Sequence, residues 1–131
     1  MADGVEYDLE ERTFQFALSI RQCIAGRKWN REQWTDVDQL LRSSGSVAAN
    51  YIEANNALSK PDFLLRIRIS KKEASESRLW LRLLGETSSD EPLKQTLRQL
   101  YKESDELARI LAPFSATPKN LPHPRPLPFR I

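Results

Sequence analysis

The segment from Ser59 to Glu86 constrains the fold of this chain most strongly, because its apolar residues recur at helical spacing on two separate faces. At about 3.6 residues per turn, the first face holds Phe63, Ile67, Ala74 and Leu81, and the second holds Leu65, Ile69, Trp80 and Leu83. A helix in an isolated four-helix bundle needs only one apolar face. We therefore expect the second face to pack against another subunit; the alternative is that Trp80 and Leu83 are ordinary, partly exposed positions.

The start of this helix is marked by Ser59. Its hydroxyl can accept a hydrogen bond from the backbone amide of Asp62, and Pro61 is tolerated in the first turn of a helix. These signals predict a helix over residues 60–86.

Three further segments show the same helical repeat, over about residues 8–26, 32–58 and 90–112. Asp8 is typical of an N-terminal cap, Gly26 is typical of a helix end, and Pro113 is expected to terminate the last helix. The sequence thus predicts an all-α helical bundle in residues 1–112. A Pro-rich tail, expected to be disordered, follows over residues 113–131.

Two apolar residues of the first helix, Phe14 and Leu18, lie off its main apolar stripe and need another partner. We assign them to the same predicted contact between subunits. The candidate oligomer interface then consists of Phe14, Leu18, Leu65, Ile69, Trp80 and Leu83.

The second helix contains a run of small residues around Gly45 that is poor helix material, since glycine costs up to about 1 kcal/mol relative to alanine. We interpret this run as a site where a neighbouring helix approaches closely. A ligand-binding phosphate loop is the less favoured alternative, because such loops follow a strand and none is predicted here.

Two carboxylates, Glu73 and Glu76, lie beside the second apolar face of the third helix. Buried carboxylates should be paired, and Arg42 or Arg78 are the predicted partners. A di-metal bundle would need Glu-x-x-His pairs, but no histidine occurs in residues 1–122. The sequence therefore predicts a structural or interface role for both glutamates.

Four cations, Arg68, Lys71, Arg78 and Arg82, fall within about 80° of one another on the third helix. They predict a basic stripe about 20 Å long, which matches the dimensions of a phosphate backbone. A solvated face is the alternative, since the net charge of the chain is only +2. Repetition of the stripe around an oligomer would strengthen phosphate binding.

Other functional classes find little support in the sequence. It contains no Ser-His-Asp set, no phosphate loop and no metal-ligand spacing, and His123 lies alone among prolines. We expect no catalytic residue, metal or cofactor, and hence no enzyme. Cys23 fits a small buried hydrophobe, and the absence of a signal peptide or an apolar run of about 20 residues predicts a cytoplasmic protein.

Two motifs, RSSGSVAANYIEANNALSKPDF and RIRISKKEASESRLWLRLL, occur in this order from Arg42 and from Arg66. They closely resemble the bacterial four-helix-bundle family associated with intervening sequences in large-subunit ribosomal RNA genes, also called S23 ribosomal proteins. The match is carried by Ser46 to Glu53 and by Lys72 to Ser77, and the resemblance spans about residues 8–112.

The resemblance implies an up-down-up-down antiparallel bundle that assembles as a homopentamer. A related protein, the accessory variability determinant of diversity-generating retroelements, is strongly basic and binds nucleic acid and a reverse transcriptase. The candidate partners are therefore further copies of this chain, structured RNA or DNA, and a reverse transcriptase, with no membrane. Two functions stay open: a noncatalytic oligomer that binds nucleic acid, and a protein assembly module that does not.

Overall fold

The computed structural model describes residues 8–115. It contains four helices, α1 (Leu9–Ile24), α2 (Arg31–Asn55), α3 (Lys60–Glu86) and α4 (Glu91–Ser115), and no strand within these residues. The predicted all-α fold is confirmed. Most of the predicted Pro-rich tail, residues 116–131, lies outside the described residues.

Side-chain caps fix the starts of all four helices. At α4 the Asp90 carboxylate accepts a hydrogen bond from the Leu93 amide at 3.1 Å. The Asp8 carboxylate accepts a hydrogen bond from the Glu11 amide at 2.7 Å, and the Ser59 hydroxyl accepts one from the Asp62 amide at 3.2 Å, as predicted. Asn30 and Gln33 form a reciprocal capping box at the start of α2, which the sequence interpretation missed. These contacts satisfy backbone donors that the first turn of a helix leaves unpaired.

Two predicted helix ends were wrong. Helix α2 ends at Asn55 rather than 58, because the side chain of Asn56 donates to the Ile52 carbonyl at 2.8 Å and closes the last turn. Leu58 is then 99% exposed in the loop. Helix α4 continues through Pro113 to Ser115, since proline removes only its own amide donor and just two helical residues follow it.

Contacts between helices set their directions. Along each pair of neighbouring helices, contacts further on in one helix meet residues further back in the other. The contacts are Glu10–Asn55 then Arg21–Ser44 (α1–α2), Ser43–Ser77 then Asn50–Arg66 (α2–α3), and Arg12–Glu103 then Arg27–Asp90 (α1–α4). Neighbouring helices are therefore antiparallel, and α4 returns beside α1 to close an up-down-up-down bundle.

The core combines large apolar side chains with buried hydroxyls. Fully buried apolar residues come from all four helices and include Phe16, Ile20, Leu40, Ile67, Leu81, Leu84, Leu97 and Leu107. The hydroxyls of Ser43 and Ser77 lie 2.8 Å apart between α2 and α3, and the Ser104 hydroxyl donates to the Ala74 carbonyl at 2.6 Å. These small residues let the helices approach closely while their polar atoms remain paired.

Gly45 has a different neighbour from the one expected. A Cβ atom at this position would lie 3.0 Å from Nη2 of Arg21, whose guanidinium crosses from α1 and donates to the Leu41 carbonyl at 3.1 Å. Gly45 thus makes room for an arginine side chain, whereas the close approach of α2 to α3 occurs at Ser43.

Candidate functional site

The predicted pairing of the buried carboxylates is confirmed for Arg42. Nη1 of Arg42 lies 3.3 and 3.2 Å from the two carboxylate oxygens of Glu73, and Nη2 contacts Glu76. Glu73 is buried, whereas Arg42 is half exposed. The hydrogen bonds to Glu73, followed by the negative charges of both glutamates, raise the pKa of Arg42 above its usual value.

Further polar side chains extend this cluster along the α2–α3 seam. Ser46 donates to Glu73 at 3.4 Å, and Asn50 donates to the Ser46 hydroxyl at 2.9 Å. Arg66 reaches the side-chain oxygen of Asn50 at 3.4 Å, and Trp80 donates to Glu76 at 3.5 Å. These residues of the two sequence motifs therefore connect α2 to α3, and their role in this cluster is structural.

The four cations predicted to form a stripe share one side of α3, and Arg78 reaches from this side to α4. Arg78 forms an ion pair with Asp105 of α4, which also contacts Arg109 at 3.2 Å. Arg82 contacts Glu86 at 2.6 Å within α3. Carboxylates thus contact Arg78 and Arg82. Arg68 is exposed to solvent, and Lys71 is half buried.

The structure adds four cations that the sequence analysis did not connect with this stripe. They share the side of α4 on which Asp105 meets Arg78, because they fall within about 80° of one another around the helix: Lys94, Arg98, Lys102 and Arg109. Arg68, Lys71, Arg78 and Arg82 of α3 together with these four residues form one surface, here called the basic face. Its eight cations outnumber the carboxylates on the same sides of the two helices, which are Glu86, Glu91 and Asp105.

Three of the six predicted interface residues are well exposed. Phe14 is 52%, Leu65 50% and Leu83 38% exposed, whereas Leu18 and Ile69 are partly buried. Trp80 is also partly buried and packs against the hydrophobic core, so that only part of its ring is accessible. The exposed apolar residues that the sequence interpretation missed include Trp34, Ile52 and Leu79.

These residues form two apolar surfaces on different sides of the bundle. The first, the α3 surface, consists of Leu65, Leu79 and Leu83, which lie within about 40° of one another on the outer side of α3. The second, the α1–α2 surface, consists of Phe14, Leu18 and Ile52, which the contact between Glu10 and Asn55 brings to the same level of the antiparallel helix pair.

Residues 8–115 contain no group of three or more His, Cys, Asp or Glu side chains arranged to hold a metal ion. Cys23 is buried as predicted, and desolvation raises the pKa of its thiol. His123 lies outside the described residues. Within the described helices, none has the length and apolar character required to cross a membrane.

Comparison with known proteins agrees with the architecture. The family described as 23S rRNA-intervening sequence protein matches residues 6–113. A solved structure with the same arrangement is that of a protein of unknown function from the S23 ribosomal protein family of Bacteroides thetaiotaomicron VPI-5482. The two sequences are 27% identical, and the match covers 83% of this chain and 99% of the other chain, with a TM-score of 0.71. No curated protein sequence matches this chain. Since the family match spans most of the residues, the chain belongs to the 23S rRNA-intervening sequence protein family.

Proposed function

We propose that this protein is a noncatalytic oligomer that binds the phosphate backbone of RNA or DNA through the basic face. The observation that carries the proposal is the alignment of eight cations along two adjacent helices. From Lys94 to Arg109 the α4 part of this surface is about 22 Å long, and the α3 part is similar. Affinity for a phosphate backbone grows with the number of phosphates neutralised, so a surface of this length suits several contacts.

The cations of the basic face that form ion pairs can still contact phosphate. A guanidinium carries five N–H donors, and the contacts of Arg78 and Arg82 to carboxylates use only some of them. The contact of Arg78 with Asp105 also holds α3 beside α4 and keeps the two rows of cations parallel. The net charge of one chain is only +2, so repetition around an oligomer is part of the proposal.

The two apolar surfaces support the oligomer. A two-fold dimer uses one surface twice, whereas a ring joins two different surfaces head to tail. Full burial of a leucine stabilises by about 1.5–3 kcal/mol relative to full exposure, so each half-exposed leucine of the α3 surface would add about 1 kcal/mol. We propose a closed ring in which the α3 surface of one subunit meets the α1–α2 surface of the next; five subunits are the number implied by the family resemblance.

Binding to nucleic acid is tested with two variants of equal charge. Lys71→Glu with Lys102→Glu changes the charge of the basic face. Lys28→Glu with Arg31→Glu makes the same change in charge away from α3 and α4. Fluorescence anisotropy with a structured RNA and a DNA duplex, between 50 and 200 mM salt, should show at least about tenfold weaker binding for the first variant. A plot of the logarithm of the binding constant against the logarithm of the salt concentration has a negative slope, and loss of two phosphate contacts should reduce its magnitude by about 2. Equal losses in both variants, or no salt-dependent binding by the natural protein, would refute the proposal.

The second candidate function is a protein assembly module that never binds nucleic acid. It is favoured by the exposed apolar surfaces and by the carboxylates that already contact Arg78 and Arg82. A protein partner, such as the reverse transcriptase named by the family resemblance, belongs to this alternative. Normal assembly together with absent RNA and DNA binding in the anisotropy experiment would select it.

Assembly is tested by measuring the mass of the particle in light scattering. The natural protein should exceed the 15.1 kDa of one chain several-fold. Leu79→Glu with Leu83→Glu should give monomers, because charge at an apolar contact opposes burial. Leu58→Glu is the control, since Leu58 is fully exposed in the α2–α3 loop.

A mixing experiment distinguishes a ring from a two-fold dimer. Phe14→Glu damages only the α1–α2 surface, and the Leu79→Glu, Leu83→Glu variant damages only the α3 surface. Each should be monomeric alone, but the mixture should form dimers, because each retains the surface that the other has lost. A natural protein that stays monomeric, or a mixture that forms no dimers, would contradict head-to-tail assembly.

A further inference from the structure

A groove of about 570 Å³ lies along the outer seam between α1 and α4, the neighbouring helices that contact one another least. Its floor is apolar and includes Phe16, Cys23 and Leu100. Three glutamines, Gln15, Gln22 and Gln99, line it together with hydroxyl groups. Neither apolar surface nor the basic face includes these residues, so the groove has no part in the proposed function.

The chemistry of the groove suits an extended, proline-rich chain. A polyproline II segment has no internal hydrogen bonds, so its carbonyls need outside donors. A glutamine amide has two N–H donors and one acceptor oxygen. Gln22 and Gln99 offer both donors at the groove, and Gln15 offers one because the other donates to Glu11 at 2.7 Å. The apolar floor provides a surface against which proline rings and aliphatic or aromatic side chains can be buried.

The chain itself contains such a segment after α4. Residues 121–131 read LPHPRPLPFRI, with four prolines and the apolar side chains of Leu121, Leu127, Phe129 and Ile131. Residues 116–131 carry three cations and no carboxylate. At the end of the groove nearest the α4 terminus, Glu103 and Glu106 both contact Arg12 at 2.9 Å. This group of three side chains keeps one net negative charge, which is opposite to the charge of the segment.

The length of the following chain is sufficient for this segment to reach the groove. Gln99 precedes Ser115 by 16 residues of helix, a distance of about 24 Å. Sixteen residues follow Ser115, and in the polyproline II conformation they span about 50 Å. About eight residues, 121–128, cover the distance back to Gln99, and residues 116–120 remain for the reversal of direction after α4.

We propose that residues 121–131 bind in the α1–α4 groove of their own subunit, antiparallel to α4. The occupant is thus a segment of this chain, held by burial of its apolar side chains on Phe16 and Leu100, by glutamine donors to its carbonyls and by its cations near Glu103 and Glu106. The interaction shields Cys23 and covers the weakest seam of the bundle.

Photocrosslinking in the full-length chain tests the proposal. Benzoylphenylalanine in place of Phe129 should crosslink to peptides containing residues 15–27 or 96–103. The matched control is the same substitution at Phe114, which is exposed on α4 and lies about 16 Å or more from residue 103 along the helix. Mixing ¹⁵N-labelled with unlabelled protein separates crosslinks within one chain from those between chains. Crosslinks only between chains, or none in the groove, would overturn the proposal.

A second measurement uses the thiol in the floor of the groove. If the segment occupies the groove in about nine of ten molecules, iodoacetamide should label Cys23 about tenfold more slowly than in a protein whose groove is empty. Leu127→Asp with Phe129→Asp should remove this protection in the full-length chain, and Leu58→Asp should leave the rate unchanged. Equal labelling rates for the natural protein and the tail variant would also overturn the proposal.

Discussion

Replacement of Arg42 by methionine tests how strongly the polar cluster holds α2 to α3. Arg42 contacts both Glu73 and Glu76, and methionine keeps most of its aliphatic stem while removing the charge and the donors. The Glu73 side chain is only 11% exposed. In the variant, its remaining partner in the cluster is the Ser46 hydroxyl, at 3.4 Å.

The expected loss of stability lies between two limits. Exposed ion pairs contribute about 0–1 kcal/mol, whereas removal of one partner of a buried pair costs about 3–5 kcal/mol. Arg42 is 48% exposed, so solvent already screens its side of the interaction, while Glu73 is buried. We therefore expect Arg42→Met to lower the free energy of unfolding by about 2 kcal/mol.

Urea unfolding followed by circular dichroism at pH 7 measures this loss, with all variants at one protein concentration because assembly contributes to stability. Glu73→Gln should cost less than Arg42→Met, since the amide is neutral and Arg42 keeps Glu76. The double variant should lose about 1 kcal/mol less than the sum of the two single variants. Arg82→Met, which removes an exposed ion pair within α3, serves as the control and should have little effect.

Two results would refute this reasoning. A loss below about 0.5 kcal/mol for Arg42→Met would show that the cluster behaves as an exposed ion pair. Additive losses in Arg42→Met and Glu73→Gln, within about 0.3–0.5 kcal/mol, would show that the two side chains do not act together.

Three further predictions concern single sites. Gly45→Ala should change the stability of the natural protein little, because a gain in helix propensity of about 1 kcal/mol is offset by displacement of Arg21. In an Arg21→Ala background the same substitution should stabilise by about 1 kcal/mol. Equal changes in the free energy of unfolding in the two backgrounds, measured with urea, would contradict the contact. Asn30→Ala should cost about 1 kcal/mol through loss of the α2 capping box, and no change in the urea midpoint would count against that role. Cys23 should react slowly with iodoacetamide at pH 8 and faster as the pH rises, because burial raises its pKa; a rate equal to that in urea would show an accessible thiol.

Local signals predicted much of the fold. Asp8 and Ser59 cap their helices as expected, because a cap involves residues only three positions apart. The apolar repeat of α4 likewise marks a helix whose leucines are buried, from Leu93 to Leu111. The need of Glu73 for a cationic partner was also predictable, since a carboxylate on an apolar face must be paired.

The sequence by itself determined four amphipathic helices, a third helix with more apolar surface than one bundle can bury, and a row of cations along that helix. Only the tertiary structure decided that Lys94, Arg98, Lys102 and Arg109 of α4 lie beside that row, and that Gly45 faces Arg21. The physical reason is that a helical repeat reports the direction of each side chain around its own axis. Which helix lies next to which, and in what register, depends on packing between residues far apart in the chain.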